Sequence, residues 1–326
     1  MRFFYILFIC LFCLSACQSK PESYLEEHGK IFLTTYSVKY KYKHSLKNEI
    51  EAELARFDDS LNPFKATSVI ARVNNNEQVV LDTFFINVFN RAQEVSNISD
   101  GLFDITVSPL INAWGFGFKN MNNVTPVMID SLKQLVGYNK IRLQDGKIYK
   151  DTPNIQINTS AIAKGYSSDV IANLLESYGI KDYMVEIGGE VHAKGLSPKG
   201  LCWNIGITEP VDKNIYDYEH LQTIVRLCNK SMATSGNYRN YYVKDNKRYA
   251  HTIDPRTGYP SESNVLSATV VANDCMTADA YATVFMLTDT ARTRIIAQIE
   301  NLSYFLVLGT SDSTYVTVKS DNFGKE

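Results

Sequence analysis

The chain has 326 residues, a formal net charge of −2 at pH 7 and 45% hydrophobic side chains. This length and apolar content suit one large domain or two closely joined ones. The sequence has 33 Lys and Arg residues against 35 Asp and Glu, and its lysines are scattered. It therefore shows no concentrated basic surface, and a nucleic-acid partner is not expected.

Residues 1–16 have the pattern of an export signal, with one basic residue and then an apolar run from Phe3 to Leu14. The run is shorter than the ~20 residues that a membrane-spanning helix needs. The stretch Leu14–Cys17, LSAC, resembles a bacterial lipobox, in which the cysteine is lipidated and becomes the new N-terminus. An ordinary signal peptide cut nearby is the alternative, and both interpretations predict an exported chain.

The cysteines also suit an exported chain without a disulfide framework. Cys10 and Cys13 leave with the signal and Cys17 would carry lipid, so Cys202, Cys228 and Cys275 remain. Three cysteines cannot all pair with one another, and we expect at most one disulfide bond.

After Cys17, residues 17–29 are predicted to be a polar tether, and residues 30–326 the folded domain. Apolar periodicity and turn residues predict the following elements in chain order: a strand in 31–42, a helix in 45–64 ending before Asn62-Pro63, a helix in 84–99, a strand in 155–160, a helix in 161–179, strands in 183–189, 202–210 and 264–274, a helix in 275–287, and a hairpin-like pair in 303–309 and 314–320. This order predicts an α+β (mixed α/β) fold rather than a regular doubly wound sheet.

The stretch DGLFDITVSPLINAWGFG, residues 100–117, combines a turn, a strand-like run and an aromatic, glycine-rich loop. Asp104 lies between Phe103 and Ile105, where a carboxylate is costly to bury unless it is hydrogen-bonded. Taken alone, such an aspartate is more often a turn or helix cap. The loop at Trp114 fits either a hydrophobic plug or a brace for a planar ring.

Three further stretches contain small residues at turns. Residues 158–170 place small side chains and Lys164 at a helix start, where free N–H groups attract phosphates, although plain helix packing explains them equally well. Gly188-Gly189 indicates a bulge or a close backbone approach to a ligand. Residues 234–236, Thr-Ser-Gly, are typical of a solvated turn.

Two stretches in the C-terminal part of the chain contain candidate metal-binding or catalytic residues. Asp279 and Thr283 are four apart, so a helix would place both oxygens on one face, which suits Mg²⁺, although this pairing is also a common accident. In YAHTIDPRTGYP, residues 249–260, His251 precedes a turn marked by Asp254-Pro255 and Gly258. From the turn alone, His251 could titrate, bind a ligand or only pack.

Taken in this order, the stretches DGLFDITVSPLINAWGFG, AIAKGY, VEIGG, ATSGNYR, HTIDPRTGYP and ADAYAT closely resemble the ApbE family, the bacterial FAD:protein FMN transferases. The resemblance runs from about Ile31 to Val318. It implies FAD as substrate, bound Mg²⁺, and transfer of the FMN moiety to a threonine hydroxyl of an acceptor flavoprotein subunit of a membrane redox complex, with AMP leaving. It also implies a chain anchored by lipid on the periplasmic side of the cell membrane.

The resemblance assigns site residues by motif. The implied flavin-binding residues are Phe32, Phe64, Leu102, Phe103, Asp104, Asn158, Lys164, His251, Thr252 and Ile253. The implied metal ligands are Asp279, Thr283 and the backbone carbonyl of Ala161. The chain departs from many relatives in having Phe32-Leu33-Thr34 for Met-Gly-Thr, Phe64 for tyrosine and Asn158 for an acidic residue.

The implied catalytic residues are His251 and Asp279. A histidine with an ordinary pKa of ~6.5 can accept the threonine proton, and the alternative is that His251 only orients the pyrophosphate. Two other functions remain open at this point. The same site could hydrolyse FAD to FMN and AMP, or the chain could bind FAD without catalysis.

Overall fold

The computed structural model describes residues 22–116, 124–208, 221–237, 241–244, 247–250, 252–310 and 314–325. The predicted signal, Cys17 and His251 lie outside these ranges. Within them, no helix is long and apolar enough to cross a membrane.

Helices and strands alternate irregularly along the chain. The α-helices are α1 (Lys47–Leu61), α2 (Val69–Asn74), α3 (Thr83–Ile98), α4 (Ser108–Ala113), α5 (Pro126–Lys133), α6 (Ala163–Ser177), α7 (Cys275–Phe285) and α8 (Thr290–Ile299). The strands are β1 (Ser23–Ile31), β2 (Thr34–Tyr42), β3 (Ile141–Gln144), β4 (Lys147–Lys150), β5 (Tyr183–Ile187), β6 (Glu190–Lys194), β7 (Trp203–Thr208), β8 (Leu221–Leu227), β9 (Lys230–Gly236), β10 (Tyr241–Lys244), β11 (Lys247–Ala250), β12 (Val265–Ala272), β13 (Ser303–Gly309) and β14 (Tyr315–Lys319).

One large antiparallel sheet organises the fold, with the strand order β1-β2-β5-β6-β9-β12-β13-β14. The pairs β3-β4, β7-β8 and β10-β11 form separate two-stranded sheets. The mixture of one antiparallel sheet with helices confirms the predicted α+β class.

Helices α1, α6 and α7 pack on one side of the large sheet. The spacing of Ile50, Leu54 and Phe57 in α1 gives a buried stripe. Helix α7 is buried nearly all round because it lies between the sheet and α3. A separate apolar cluster joins β7 and β8 to strands of the large sheet through residues such as Trp203, Leu227 and Met232.

Most predicted elements are confirmed, within a few residues at their ends. The prediction was wrong for 155–160, which form no strand: Asn74 donates to the carbonyl of Ile157 at 2.9 Å and accepts from its N–H at 2.7 Å. A side chain thus takes the backbone bonds that a neighbouring strand would have made. It was also wrong for the strand-like run predicted within 100–117, because residues 100–107 form turns that lead into α4.

Two boundaries also differ from the prediction. Residues 234–236 are the end of β9, paired with β12, rather than a solvated turn. Residues 23–29 of the predicted tether lie in β1, which pairs with β2 along its whole length. In both places the strand partner is distant in sequence or beyond a turn, so local composition did not reveal it.

Cys202 and Cys228 form a disulfide bond that joins the start of β7 to the residue after β8. Cys275 is a buried free thiol. Among the described cysteines, the prediction of at most one bridge is therefore confirmed.

Candidate active site

A cavity of about 470 Å³ lies where the N-terminal end of α6 meets the middle and C-terminal part of α7 and the segment before α4. Part of the lining is apolar and includes Leu102, Phe103 and Leu287. The rest of the lining, the polar wall, carries charged and hydroxyl groups. The polar and charged lining residues of the whole cavity are Asp104, Asn158, Ser160, Lys164, Glu190, Thr234, Ser235, Thr252, Asp279 and Thr283. A cavity of this kind suits a ligand with an apolar ring system and a charged portion.

Helices α6 and α7 approach each other very closely beside the cavity, and Gly165 makes the approach possible. A Cβ at this position would lie 2.2 Å from the carbonyl oxygen of Cys275 and 2.7 Å from the Cβ of Asp279. The Gly165 N–H donates to Oδ2 of Asp279 at 2.9 Å. This contact replaces the missing cap of α6, whose N-cap residue provides no side-chain hydrogen bond.

A second buried carboxylate makes the reverse contact. Asp169 of α6 accepts hydrogen bonds from the N–H groups of Cys275 and Met276, both at 2.8 Å. It also bonds Nδ1 of His192 at 2.7 Å. Each helix therefore caps the first turn of the other, and the negative carboxylates lie at the positive ends of the helix dipoles. The arrangement fixes Asp279 relative to Lys164.

Lys164, Glu190 and Asp279 form a charged cluster on the polar wall. Lys164 Nζ lies 2.5 Å from Oε1 of Glu190. Burial opposes the charge on Lys164, but the carboxylates of Asp279 and Glu190 outweigh it and raise the pKa of the ammonium. Burial and the negative charge of Asp279 raise the pKa of Glu190 to about 8, although Lys164 pulls it down. Burial also raises the pKa of Asp279.

Asp104 lies on the cavity wall and is held by its own turn. Its Oδ1 accepts from the N–H and hydroxyl of Thr106, at 2.8 and 2.6 Å, and its Oδ2 accepts from the N–H of Tyr138 at 2.8 Å. Burial raises the pKa of this carboxyl, against the pull of those hydrogen bonds. Asp104 is therefore a turn cap, as its position between apolar neighbours suggested, and it shapes the wall that Leu102 and Phe103 form.

The turn that follows His251 is held by its own backbone contacts and by a hydrogen bond from Trp114. Gly258, with φ +83°, donates to the carbonyl of Asp254 at 2.8 Å, and Ile253 bridges to Pro260. The indole N–H of Trp114 donates to the carbonyl of Gly258 at 2.9 Å. Trp114 thus braces the turn, rather than a ligand ring. His251 itself lies outside the described residues, and Thr252 next to it lines the cavity.

The structure brings most of the sequence-predicted residues to this one cavity. Its lining includes Leu102, Phe103, Asp104, Asn158, Ala161, Lys164, Thr252, Ile253, Asp279 and Thr283. Phe32 and Phe64 are not among the described lining residues. Phe32 packs on Phe57, with ring centroids 5.6 Å apart, and Phe64 is 69% exposed. A flavin contact by these two rings stays a prediction.

Sequence reasoning missed Glu190 and Ser235. Glu190 follows Gly188-Gly189, for which the sequence indicated only a bulge or a close backbone approach to a ligand, and Ser235 was placed in a solvated turn. Ser235 Oγ lies 3.4 Å from Oγ1 of Thr283. A charged residue directly after a glycine turn was the available signal for Glu190, because such a residue is costly to bury without a partner.

Asp279 and Thr283 present oxygen donors to the cavity. Oδ1 of Asp279 accepts no hydrogen bond from any described residue, and Thr283 lies one helical turn further on the same wall. These are oxygen donors of the kind Mg²⁺ takes. Across the described residues, no three His, Cys, Asp or Glu side chains are grouped as metal ligands. The set therefore fits a hard cation that also draws ligands from backbone, substrate or water.

Comparison with known proteins gives consistent matches over most of the chain. Residues 32–306 match the ApbE family. The FAD:protein FMN transferase of Haemophilus influenzae is 35% identical over 96% of this chain and 94% of its own length, and that of Vibrio cholerae is 33% identical over 96% and 95%.

Solved structures agree with these sequence matches. The flavin transferase ApbE from Vibrio cholerae superposes with a TM-score of 0.81 at 32% identity, covering 92% of this chain and 98% of that one. The apo flavinyl transferase ApbE of Pseudomonas stutzeri gives a TM-score of 0.82 at 28% identity, covering 92% and 95%.

Proposed function

The chain belongs to the ApbE family, and we infer from this membership that it is an enzyme, a FAD:protein FMN transferase. FAD is its substrate, and an acceptor protein receives the FMN moiety. The observation in this structure that best supports the inference is one cavity whose lining combines the charged side chains of Lys164 and Asp279 with the apolar side chains of Leu102 and Phe103. Apolar side chains suit the isoalloxazine ring, and charged side chains suit the pyrophosphate.

We propose that the acceptor group is a threonine hydroxyl and that AMP is the leaving group. The threonine oxygen attacks the phosphorus of the FMN portion, the bond to the AMP oxygen breaks, and the threonine proton passes to a base. Phosphoryl transfer of this kind is catalysed mainly by positioning and by neutralising charge. The ammonium of Lys164, whose pKa is raised by its carboxylate neighbours, stays protonated and supplies positive charge.

Within this proposal, Asp279, Thr283 and the carbonyl of Ala161 would hold Mg²⁺, which when bound neutralises the charge of the pyrophosphate. The hydrogen bond from Gly165 directs one oxygen of Asp279 toward α6 and leaves the other for the metal. His251 is proposed as the base that accepts the threonine proton. Support for this role comes from the braced turn beside it and from Thr252 on the cavity wall.

Leu102, Phe103, Asp104, Asn158, Thr252 and Ile253 are proposed to contact the flavin nucleotide, since all of them line the cavity. The chain is further proposed to be exported and lipid-anchored at Cys17, on the periplasmic side of the bacterial membrane, with an acceptor in a membrane redox complex. The disulfide between Cys202 and Cys228 supports an oxidising compartment.

Product analysis tests the reaction. The purified chain is incubated with FAD, MgCl₂ and a threonine-containing acceptor domain of a membrane redox subunit from the same bacterium, and nucleotides are separated by chromatography. AMP released together with protein-bound flavin is expected. AMP with an equal amount of free FMN would point to hydrolysis, and FAD left intact would contradict both reactions.

A further inference from the structure

Glu190 is the only Asp or Glu among the described residues with a buried side-chain oxygen that lacks a hydrogen-bond partner. It is only 3% exposed, and it lines the cavity from the first position of β6. Oε1 accepts from Lys164 Nζ at 2.5 Å. Oε2 is buried and has no hydrogen-bond partner within the described parts of the chain. A buried carboxylate oxygen without a partner costs free energy, so this position is not explained by stability.

The local fold aims the side chain of Glu190 at α6. The turn Gly188-Gly189 has φ of +65° and +100°, which suits a two-residue hairpin loop, and it pairs Ile187 with Glu190. From α6, Ser168 donates its hydroxyl to the carbonyl of Glu190 at 3.2 Å. Lys164 and Ser168 are four apart on α6, so one helix face contacts the side chain and the backbone of the same residue.

The contact also determines where the charge of Lys164 lies. A lysine side chain has four rotatable bonds and would otherwise sample many positions at a cavity mouth. The side chain of Lys164 is 37% exposed, so burial alone does not fix it. Glu190 is the only residue among those described that accepts a hydrogen bond from Nζ of Lys164.

We propose that Glu190 is a positioning residue for the transfer reaction: it holds the ammonium of Lys164 on the cavity wall, where that ammonium binds the phosphates of FAD. This inference rests on the proposed function in taking FAD as the ligand. Glu190 acts through Lys164, and its unpartnered oxygen reflects a side chain placed for that contact rather than for its own hydrogen bonding.

A double-mutant cycle on FAD binding tests the proposal. FAD affinity is measured by flavin fluorescence in EDTA, so that neither metal nor acceptor is needed. We expect Glu190→Ala to weaken FAD binding roughly tenfold in the otherwise unchanged chain and to have no further effect in a Lys164→Met background. Equal losses in both backgrounds, or no loss in the first, would overturn the proposal.

Two further variants test whether Glu190 acts by positioning Lys164, by its own negative charge, or by stabilising the fold. Glu190→Gln keeps an oxygen that can accept from Lys164, so its FAD affinity is expected to stay within about threefold of the unchanged chain. A loss as large as that of Glu190→Ala would overturn the positioning role. Glu186→Ala is the matched control: Glu186 lies in the same hairpin and accepts from Gly189 at 2.7 Å, but does not bond Lys164. Its FAD affinity is expected to be unchanged.

The cycle is independent of the transfer reaction itself. If FAD binding shows the expected coupling but no covalent flavin ever forms, the proposed function fails while the positioning role stands. If covalent flavin forms and the two substitutions act additively on FAD binding, the positioning role fails while the proposed function stands.

Discussion

The carboxylate of Asp279 accepts a hydrogen bond from the N–H of Gly165, 2.9 Å away on the neighbouring helix. Asp169 returns the contact by accepting from the first turn of α7. These paired contacts hold the start of α6, which carries Lys164, against the helix that carries the proposed metal ligands. The relative position of Lys164 and Asp279 therefore depends on the close helix contact at Gly165.

Substituting Gly165→Ala should disturb both stability and transfer. The added Cβ would meet a backbone oxygen at 2.2 Å, which cannot move without shifting α7. Overpacking of this kind costs about 1–3 kcal/mol, so we expect a lower melting temperature by calorimetry and reduced covalent flavin formation. Gly309→Ala is the control, because its Cβ would meet Leu266 at an ordinary 3.5 Å. A Gly165→Ala chain as stable and as active as the unchanged one would contradict the prediction.

Asp279→Asn should separate the proposed metal role from the capping role. An asparagine oxygen can still accept from Gly165, so the fold is retained, and loss of a buried carboxylate does not lower stability. We expect Mg²⁺-dependent transfer to fall by at least about 100-fold, in line with loss of one charged ligand or donor at a phosphoryl-transfer site. Initial rates over a MgCl₂ titration measure this.

The matched control for that substitution lies on the same helix. Asp274 caps α7 by accepting from Thr277 at 2.8 Å and does not line the cavity. Asparagine is an equally good cap, so Asp274→Asn should keep both stability and transfer. Similar rates for Asp279→Asn and Asp274→Asn would remove Asp279 from the metal site.

The stability of the metal-free chain should fall as the pH rises. Glu190 has a pKa of about 8 in the folded chain and 4.5 as its ordinary value. Between these values the folded state binds more protons than the unfolded state, so the free energy of unfolding decreases with pH and the loss is complete above pH 8. Burial raises the pKa of Asp104, Asp169 and Asp279 as well, which acts in the same direction.

Urea unfolding in EDTA at pH values from 5 to 8.5 measures this dependence. The Glu190→Gln chain should show a shallower decrease in the free energy of unfolding than the unchanged chain, because one of the buried carboxyls with a raised pKa no longer titrates. Identical slopes for the two chains would show that Glu190 has an ordinary pKa.

The disulfide should stabilise the fold without contributing to the transfer reaction in the cavity. Cys202 and Cys228 are 26 residues apart in sequence, and neither they nor the strands between them contribute a cavity-lining residue in the described ranges. The double variant Cys202→Ala, Cys228→Ala should lose about 2–4 kcal/mol in guanidinium unfolding. At temperatures where it is folded, its transfer rate should be unchanged. A loss of transfer by the folded variant would place this region in the reaction.

The sequence predicted helices better than it predicted the sheet. The spacing of Ile50, Leu54 and Phe57 is local information, and it was enough to predict α1. The strand ending at Gly236 depends on β12, about thirty residues further along, so Thr234-Ser235-Gly236 had the composition of a turn. In the same way, the bonding of Ile157 to Asn74 depends on a tertiary contact that no local pattern encodes.

The sequence predicted those residues of the candidate site that lie in the family's motifs. Lys164, Asp279 and Thr283 were found from the order of the motifs, and the cavity brings them together. Glu190 was missed because its importance lies in its distance to Lys164, twenty-six residues away, rather than in any spacing along its own strand. The cap between Gly165 and Asp279 was missed for the same reason, since it joins residues 114 apart.

Intact-mass spectrometry of an acceptor protein shows whether the chain transfers the FMN moiety. A threonine-containing acceptor domain from a membrane redox subunit of the same bacterium is incubated with the chain, FAD and MgCl₂, with the Asp279→Asn chain as the parallel reaction. We expect the acceptor to gain the mass of one FMN moiety with the unchanged chain and none with the variant. An acceptor of unchanged mass in both reactions, while the chain binds FAD, would contradict the proposed transfer.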